Sequence, residues 1–174
     1  RQFNQDISSW NTSNVTNTIG MFTRCDSFNQ DLNTWDMSQV TNMNRMFKEA
    51  PSFNGAIANW DVENVVRMAE MFSGATSFNQ DIGGWDVSSG IDFSSMFRNA
   101  SLFLNGNIGS WDVSNGTDFS SMFQDTSAFN QDLGDWDVSN GTSFSFMFFR
   151  ADAFNQDIGD WDVSSGGTGT NFYD

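Results

Sequence analysis

Six aspartates, Asp36, Asp61, Asp86, Asp112, Asp137 and Asp162, each directly follow a tryptophan, and Asn11 holds the same place after Trp10. Carboxylates repeated at a fixed interval are hard oxygen ligands, so the chemistry open to them is calcium binding along a column. A second acidic set, Asp6, Asp31, Asp81, Asp132 and Asp157, recurs at the same interval and could supply further ligands. The alternative is local hydrogen bonding to Ser38, Ser88, Ser114, Ser139 and Ser164, with water screening the remaining charge. That alternative carries more weight, because no spacing matches a calcium loop with its central glycine and distal glutamate. The single stretch Gly166-Gly167-Thr168-Gly169 resembles a calcium-binding nonapeptide, with Asn171 where aspartate belongs.

Other reactive constellations are missing. The chain has no histidine, which removes the commonest general base and metal ligand. It has no phosphate-binding loop and no nucleophile elbow. Identical carboxylates in every unit suit a ladder better than one tuned catalytic pair. The expectation is a non-enzymatic protein with no cofactor beyond candidate calcium. The lone Cys25 occupies a slot filled elsewhere by Ala50, Ala75, Ala100 and Ala151, so it reads as a small buried side chain. Five glycosylation sequons begin at Asn11, Asn14, Asn99, Asn115 and Asn140. Asn14, Asn115 and Asn140 share one place in the unit and are the candidate acceptors.

The elements that must position these groups follow from the tryptophans. Trp10, Trp35, Trp60, Trp85, Trp111, Trp136 and Trp161 are separated by 25, 25, 25, 26, 25 and 25 residues. A period of this length marks a repeat architecture. Counting from three residues before each tryptophan, the fourth unit has Ile82, Trp85 and Val87 at positions 1, 4 and 6. These match the apolar skeleton of a leucine-rich repeat, and Trp85-Asp86-Val87 alternates as a short strand does. Phe93, Met96, Phe97 and Ala100 stand at 12, 15, 16 and 19, the spacing of one face of a helical turn. Thr41, Thr117 and Thr142 precede that segment, where a hydroxyl can cap free amides. The fold expected is a leucine-rich-repeat-like solenoid of about seven coils, each with one short parallel β-strand and one helical turn, forming a single array over residues 1–174.

Three features refine the packing. Val15, Val40 and Val65 are followed by Thr18, Met43 and Met68, whereas Gly90, Gly116 and Gly141 are followed by Phe93, Phe119 and Phe144. A smaller side chain accompanies a larger one, as expected of two groups filling one layer. The Met-Phe pairs from Met21-Phe22 to Met147-Phe148 read as core. Asn4, Asn29, Asn54, Asn79, Asn105, Asn130 and Asn155 form a column that can satisfy loop backbone groups as an internal ladder. The fifth unit carries one extra residue near Leu104, which reads as a bulge.

Seven basic against 22 acidic side chains give a net charge of −15. Such a surface does not suit nucleic acid or an anionic membrane, and it favours cations and basic partners. No run is long and apolar enough to span a bilayer.

The string Phe78-Asn79-Gln80-Asp81-Ile82, then Trp85-Asp86-Val87-Ser88 and Met96-Phe97, resembles the BspA-like leucine-rich-repeat surface proteins. Phe154 to Ser164 is a second clear copy. The resemblance implies an extracellular or cell-surface protein without catalytic residues. The leading expectation is a rigid spacer or filament element. The alternative is an adhesin binding a host or matrix protein or glycan through its acidic face, with calcium assisting. Arg1-Gln2-Phe3 and Phe172-Tyr173-Asp174 both fall inside repeats, so the partners expected include the chain itself, as part of a longer array or as a unit stacking head to tail.

Overall fold

Turns close each 25-residue unit on itself. In the first unit, Trp10 N–H donates to the Ile7 carbonyl, Val15 N–H to Thr12, Met21 N–H to Thr18 and Phe28 N–H to Cys25. The same turns recur unit by unit along the residues that the computed structural model describes, 2–166. The glycine-rich stretch after Gly166, with Asn171, and the terminal Phe172-Tyr173-Asp174 lie outside the described residues.

The expected strand and helical turn are both absent among the described residues. The regular elements there are two 3-10 helices, Ile108–Ser110 and Ser164–Gly166, and five isolated parallel bridges, from Asn17↔Asn42 to Asp118↔Ser143. The leucine-rich-repeat architecture of strand plus helical turn is therefore corrected to stacked coils made of successive turns.

Local hydrogen bonds explain the lost strand. Around Trp35-Asp36-Met37, the Trp35 N–H is used by the Leu32 carbonyl and the Val40 N–H by Met37. Ser38 N–H is taken by the Asp36 carboxylate at 3.0 Å. Donors that a sheet ladder needs are engaged within the coil, a known competition between short polar side chains and regular structure.

Backbone torsion explains the lost helix. Arg45, Glu49, Glu70, Ser95, Ser121 and Phe146 have φ between 53° and 60°, and Gly20 and Gly74 take the same left-handed geometry. A right-handed helix cannot contain such residues. They sit at the third place of β-turns, as a type II turn requires. Alternate amides then point along the stack: Thr18, Gly20, Phe22 and Arg24 donate to the carbonyls of Asn42, Asn44, Met46 and Lys48 at 2.8–3.0 Å. The threonines cap nothing. Thr117 and Thr142 hydroxyls donate at 3.0 Å to the Ile91 and Thr117 carbonyls of the preceding coil.

The faces expected to be buried are nevertheless buried. Met43, Met46, Phe47 and Ala50 are all at 0% exposure. Like rings lie over like: Phe22, Phe47, Phe72, Phe97, Phe123 and Phe148 stack with centroids 5.4–5.8 Å apart. Phe28, Phe53, Phe78, Phe103, Phe129 and Phe154 form a second column at 5.8–6.1 Å. These near-parallel rings are offset, the arrangement their quadrupoles favour. The valine–glycine exchange is also visible. A Cβ added to Gly90, Gly116 or Gly141 would come within 2.2–2.4 Å of the ring tip of Phe93, Phe119 or Phe144, so the phenyl group fills the space where Val40 and Val65 sit in earlier coils.

Candidate functional site

The tryptophan edge carries the candidate groups. All six aspartates after tryptophan are exposed. In each, Oδ1 accepts the backbone N–H two residues on, from Ser38, Glu63, Ser88, Ser114, Ser139 and Ser164, at 3.0–3.2 Å. Asn11 makes the same turn with Ser13. The serine hydroxyl, then the serine amide, hold the Asp36, Asp86, Asp137 and Asp162 carboxyls below their ordinary range. The neighbouring charge of Asp162 opposes this at Asp137.

The second acidic set is engaged similarly. Asp6, Asp81, Asp132 and Asp157 close turns with Ser8, Gly83, Gly134 and Gly159 at 2.9–3.0 Å. Asp31 instead reaches the next coil and accepts Ala56 N–H at 2.9 Å. Asp132, Asp135, Asp157 and Asp160 line one open depression with Gly134. Sequence reasoning passed over Asp135 and Asp160. The signal was the dipeptide before the tryptophan, Gly134-Asp135 and Gly159-Asp160, which only the last two units carry. Among the described residues, no three acidic or cysteine side chains converge closely enough to hold a metal ion. The candidate calcium column thus stands in single file, one turn-engaged carboxylate per coil.

Charge is partitioned around the coil. From position 25 through position 7 the acidic residues are Asp6, Asp31, Asp36, Asp61, Glu63, Asp81, Asp86, Asp112, Asp132, Asp135, Asp137, Asp157, Asp160 and Asp162, and no lysine or arginine interrupts them. Arg24, Arg45, Lys48, Arg67, Arg98 and Arg150 all lie on the opposite edge, among the left-handed turns. There Arg45 pairs with Glu70 at 2.7 Å, Lys48 pairs with the same carboxylate, and Arg24 pairs with Glu49. Burial works against the Glu70 charge, but the bonds from Lys48 and Arg45 outweigh it and lower its pKa.

Polar side chains tie coil to coil. Six indole Nε1–H groups, from Trp35 to Trp161, each donate at 2.8–3.2 Å to the carbonyl of the first residue of the preceding unit. Asn4, Asn29, Asn54 and Asn130 each accept the backbone amide of the next asparagine at 2.8–2.9 Å. This ladder is not internal: Asn4, Asn29 and Asn130 are exposed. It breaks at the fifth coil, where Asn79 accepts from Leu104 and Asn105 together. Gln131 there donates to the Leu104 carbonyl, as Gln30 does to Asn4, so Leu104 takes the asparagine's place and Asn105 is the extra residue.

The candidate glycosylation acceptors Asn14, Asn115 and Asn140 are exposed. Asn115 and Asn140 donate their side-chain amides to Ser88 and Ser114 carbonyls at 2.8 Å, so an added glycan there would replace a bond between coils. Cys25 is buried, as expected. No helix among the described residues is long and apolar enough to cross a membrane.

The family described as "Mycoplasma protein of unknown function, DUF285" matches the chain in three overlapping segments, residues 1–81, 31–115 and 81–173. The chain belongs to this family. Overlapping matches that slide along the whole sequence are what a repeated unit produces, and DUF285 membership agrees with a repeat protein. No curated protein matches the chain.

Proposed function

We propose that this DUF285 protein is a non-enzymatic structural element of an extracellular or cell-surface assembly, a rigid spacer whose work is done by its stacked coils. The observation that carries this reading is the repeated use of polar groups between coils. Six indoles and four asparagines tie one coil to the next. Groups held so are structural cross-ties, and a stack fixed at every step resists bending. The likeness of the repeat to BspA-like surface proteins supports the location.

Labelling decides between this and an interior role. An antibody against the folded chain should stain intact cells of the source organism, and protease added outside should remove the signal. Staining only after permeabilisation would contradict the reading.

The unbroken acidic edge favours a second reading: an adhesin that binds a basic protein or glycan surface, with calcium assisting. Calorimetric titration tests the metal. Saturable heat at millimolar calcium, lost when Asp86 and Asp112 become asparagine, supports it, and no heat removes it.

A further inference from the structure

An asparagine followed by glycine sets a nucleophile beside an electrophile. The glycine amide nitrogen can close on the asparagine Cγ, because no side chain on the glycine obstructs the approach. The reaction is intramolecular, so its rate depends on whether the two groups are free to meet. The chain has four such pairs: Asn54-Gly55, Asn105-Gly106, Asn115-Gly116 and Asn140-Gly141.

The fold restrains three of them. Asn115 and Asn140 give their side-chain amides to the Ser88 and Ser114 carbonyls at 2.8 Å. The nitrogens that would attack, those of Gly116 and Gly141, donate to the Val113 and Val138 carbonyls at 2.7 and 2.8 Å. The Asn54 side-chain oxygen is held by Asn79 N–H at 2.8 Å and by Gln80 Nε2 at 3.0 Å. Asn105 differs from all three. It is the extra residue of the fifth-coil bulge and is exposed, and neither its carboxamide nor the Gly106 N–H has a hydrogen-bond partner among the described residues.

We propose that Asn105 is a site of self-modification, where the folded chain converts asparagine to aspartate and isoaspartate using water alone. Hydroxide takes the Gly106 N–H proton and the nitrogen attacks Asn105 Cγ. The new C–N bond closes a cyclic imide as the Cγ–Nδ2 bond breaks, and ammonia leaves with a proton from water, which regenerates hydroxide. Water then opens the imide at either carbonyl. Nothing is oxidised or reduced. The bulge tolerates the change. Asn105 N–H shares the Asn79 oxygen with Leu104 N–H, and the bonds that carry register run through Leu104 and through the Gly106 carbonyl, which accepts from Ile82. The product adds a carboxylate, or one main-chain carbon, at a position that no bond between coils depends on.

Incubation of the full chain in mildly alkaline heavy-oxygen water, followed by digestion and mass spectrometry, tests the proposal, with the chain unfolded in urea as reference. In urea all four pairs should take up label at similar rates. In the folded chain Asn105 should stay close to its unfolded rate, while the other three slow by roughly tenfold or more, because hydrogen bonds must open first. Asn105→Gln, whose longer side chain disfavours the ring, should remove that label and leave the unfolding midpoint and the other three sites unchanged. Aged wild type should likewise keep its midpoint. A folded Asn105 that slows as much as the other three, or three others that keep pace with it, overturns the proposal.

Discussion

The tryptophan edge and the turn edge hold the same coils together by different means. Along the turn edge, main-chain amides of alternate residues bond directly to the next coil, as Phe47, Glu49 and Phe72 do to Met71, Ser73 and Met96. Along the tryptophan edge the amides of the tryptophan and of the residues that follow it are occupied locally, as at Trp35, Ser38 and Val40, and the indole supplies the missing donor. The difference teaches that register can be carried by backbone or by side chain, and that the choice follows from where short polar residues capture amides. It also separates the charges: the edge tied by indoles is wholly acidic, and the edge tied by backbone holds the ion pairs.

Mutations at Trp85 should break the tryptophan edge. Trp85→Ala is expected to cost about 3–5 kcal/mol in urea unfolding, the usual range for a buried aromatic. Trp85→Phe keeps a ring but removes the bond to Ile57, and should cost about 1–3 kcal/mol. A negligible cost for Trp85→Phe would show that the indole bond contributes nothing.

The turn edge is sharpened by a pair of substitutions. Gly116→Val should destabilise by about 1–3 kcal/mol, because its side chain meets the Phe119 ring. Phe119→Met alone leaves a void. The double variant recreates the Val40/Met43 pairing and should recover most of the loss, a coupling read from a double-mutant cycle. Additive losses would contradict shared volume.

A smaller effect concerns left-handed backbone. Ser121 has φ 55°, where glycine carries no steric penalty. Ser121→Gly should raise stability by about 0.5–1 kcal/mol, whereas Ser114→Gly, on the tryptophan edge, should lower it. A loss at Ser121 would contradict the turn geometry.

The smallest effect depends on pH. The Asp86 carboxyl is held low in the folded chain by Ser88, hydroxyl first and amide second. The unfolded carboxyl returns to about 3.9. A lowered folded value means the contribution is complete above that pH and disappears as pH falls through the folded value. Wild type should therefore exceed Asp86→Asn in unfolding midpoint at pH 6, and the two should converge near pH 2. A gap that widens in acid would reverse the sign of the argument.

Much of this was legible in the residues. The seven-fold spacing of tryptophan gave the coil and its register, and the glycine–phenylalanine exchange gave the shared layer. The aspartate–serine spacing gave the turns that occupy the carboxylates. Positions 12, 15, 16 and 19 marked a buried face correctly but not its backbone, because consecutive turns and a helix place the same residues inward. What separates them is left-handed φ at residues such as Arg45, Glu49 and Phe146, side chains with no preference for that region. Gly20, Gly74, Asn99 and Asp125, the residue types that tolerate that region, were the pointers to it. The strand failed for a related reason: alternation in Trp85-Asp86-Val87 reports which way side chains face, while a ladder also needs amides that Asp86 and the flanking turns had already engaged. The open depression at Asp135 and Asp160 was missed because attention to the period passes over residues in only two units.

Hydrogen bonds between coils can be observed directly, through the weak scalar coupling between an amide nitrogen and its accepting carbonyl carbon in an isotope-labelled sample. The structure places the Phe47, Phe72 and Phe97 amides on the carbonyls of Met71, Met96 and Met122, and those three correlations are the expected result. Correlations from Phe47 and Ala50 to carbonyls four residues earlier would instead restore a helical turn and contradict the stacked-turn fold.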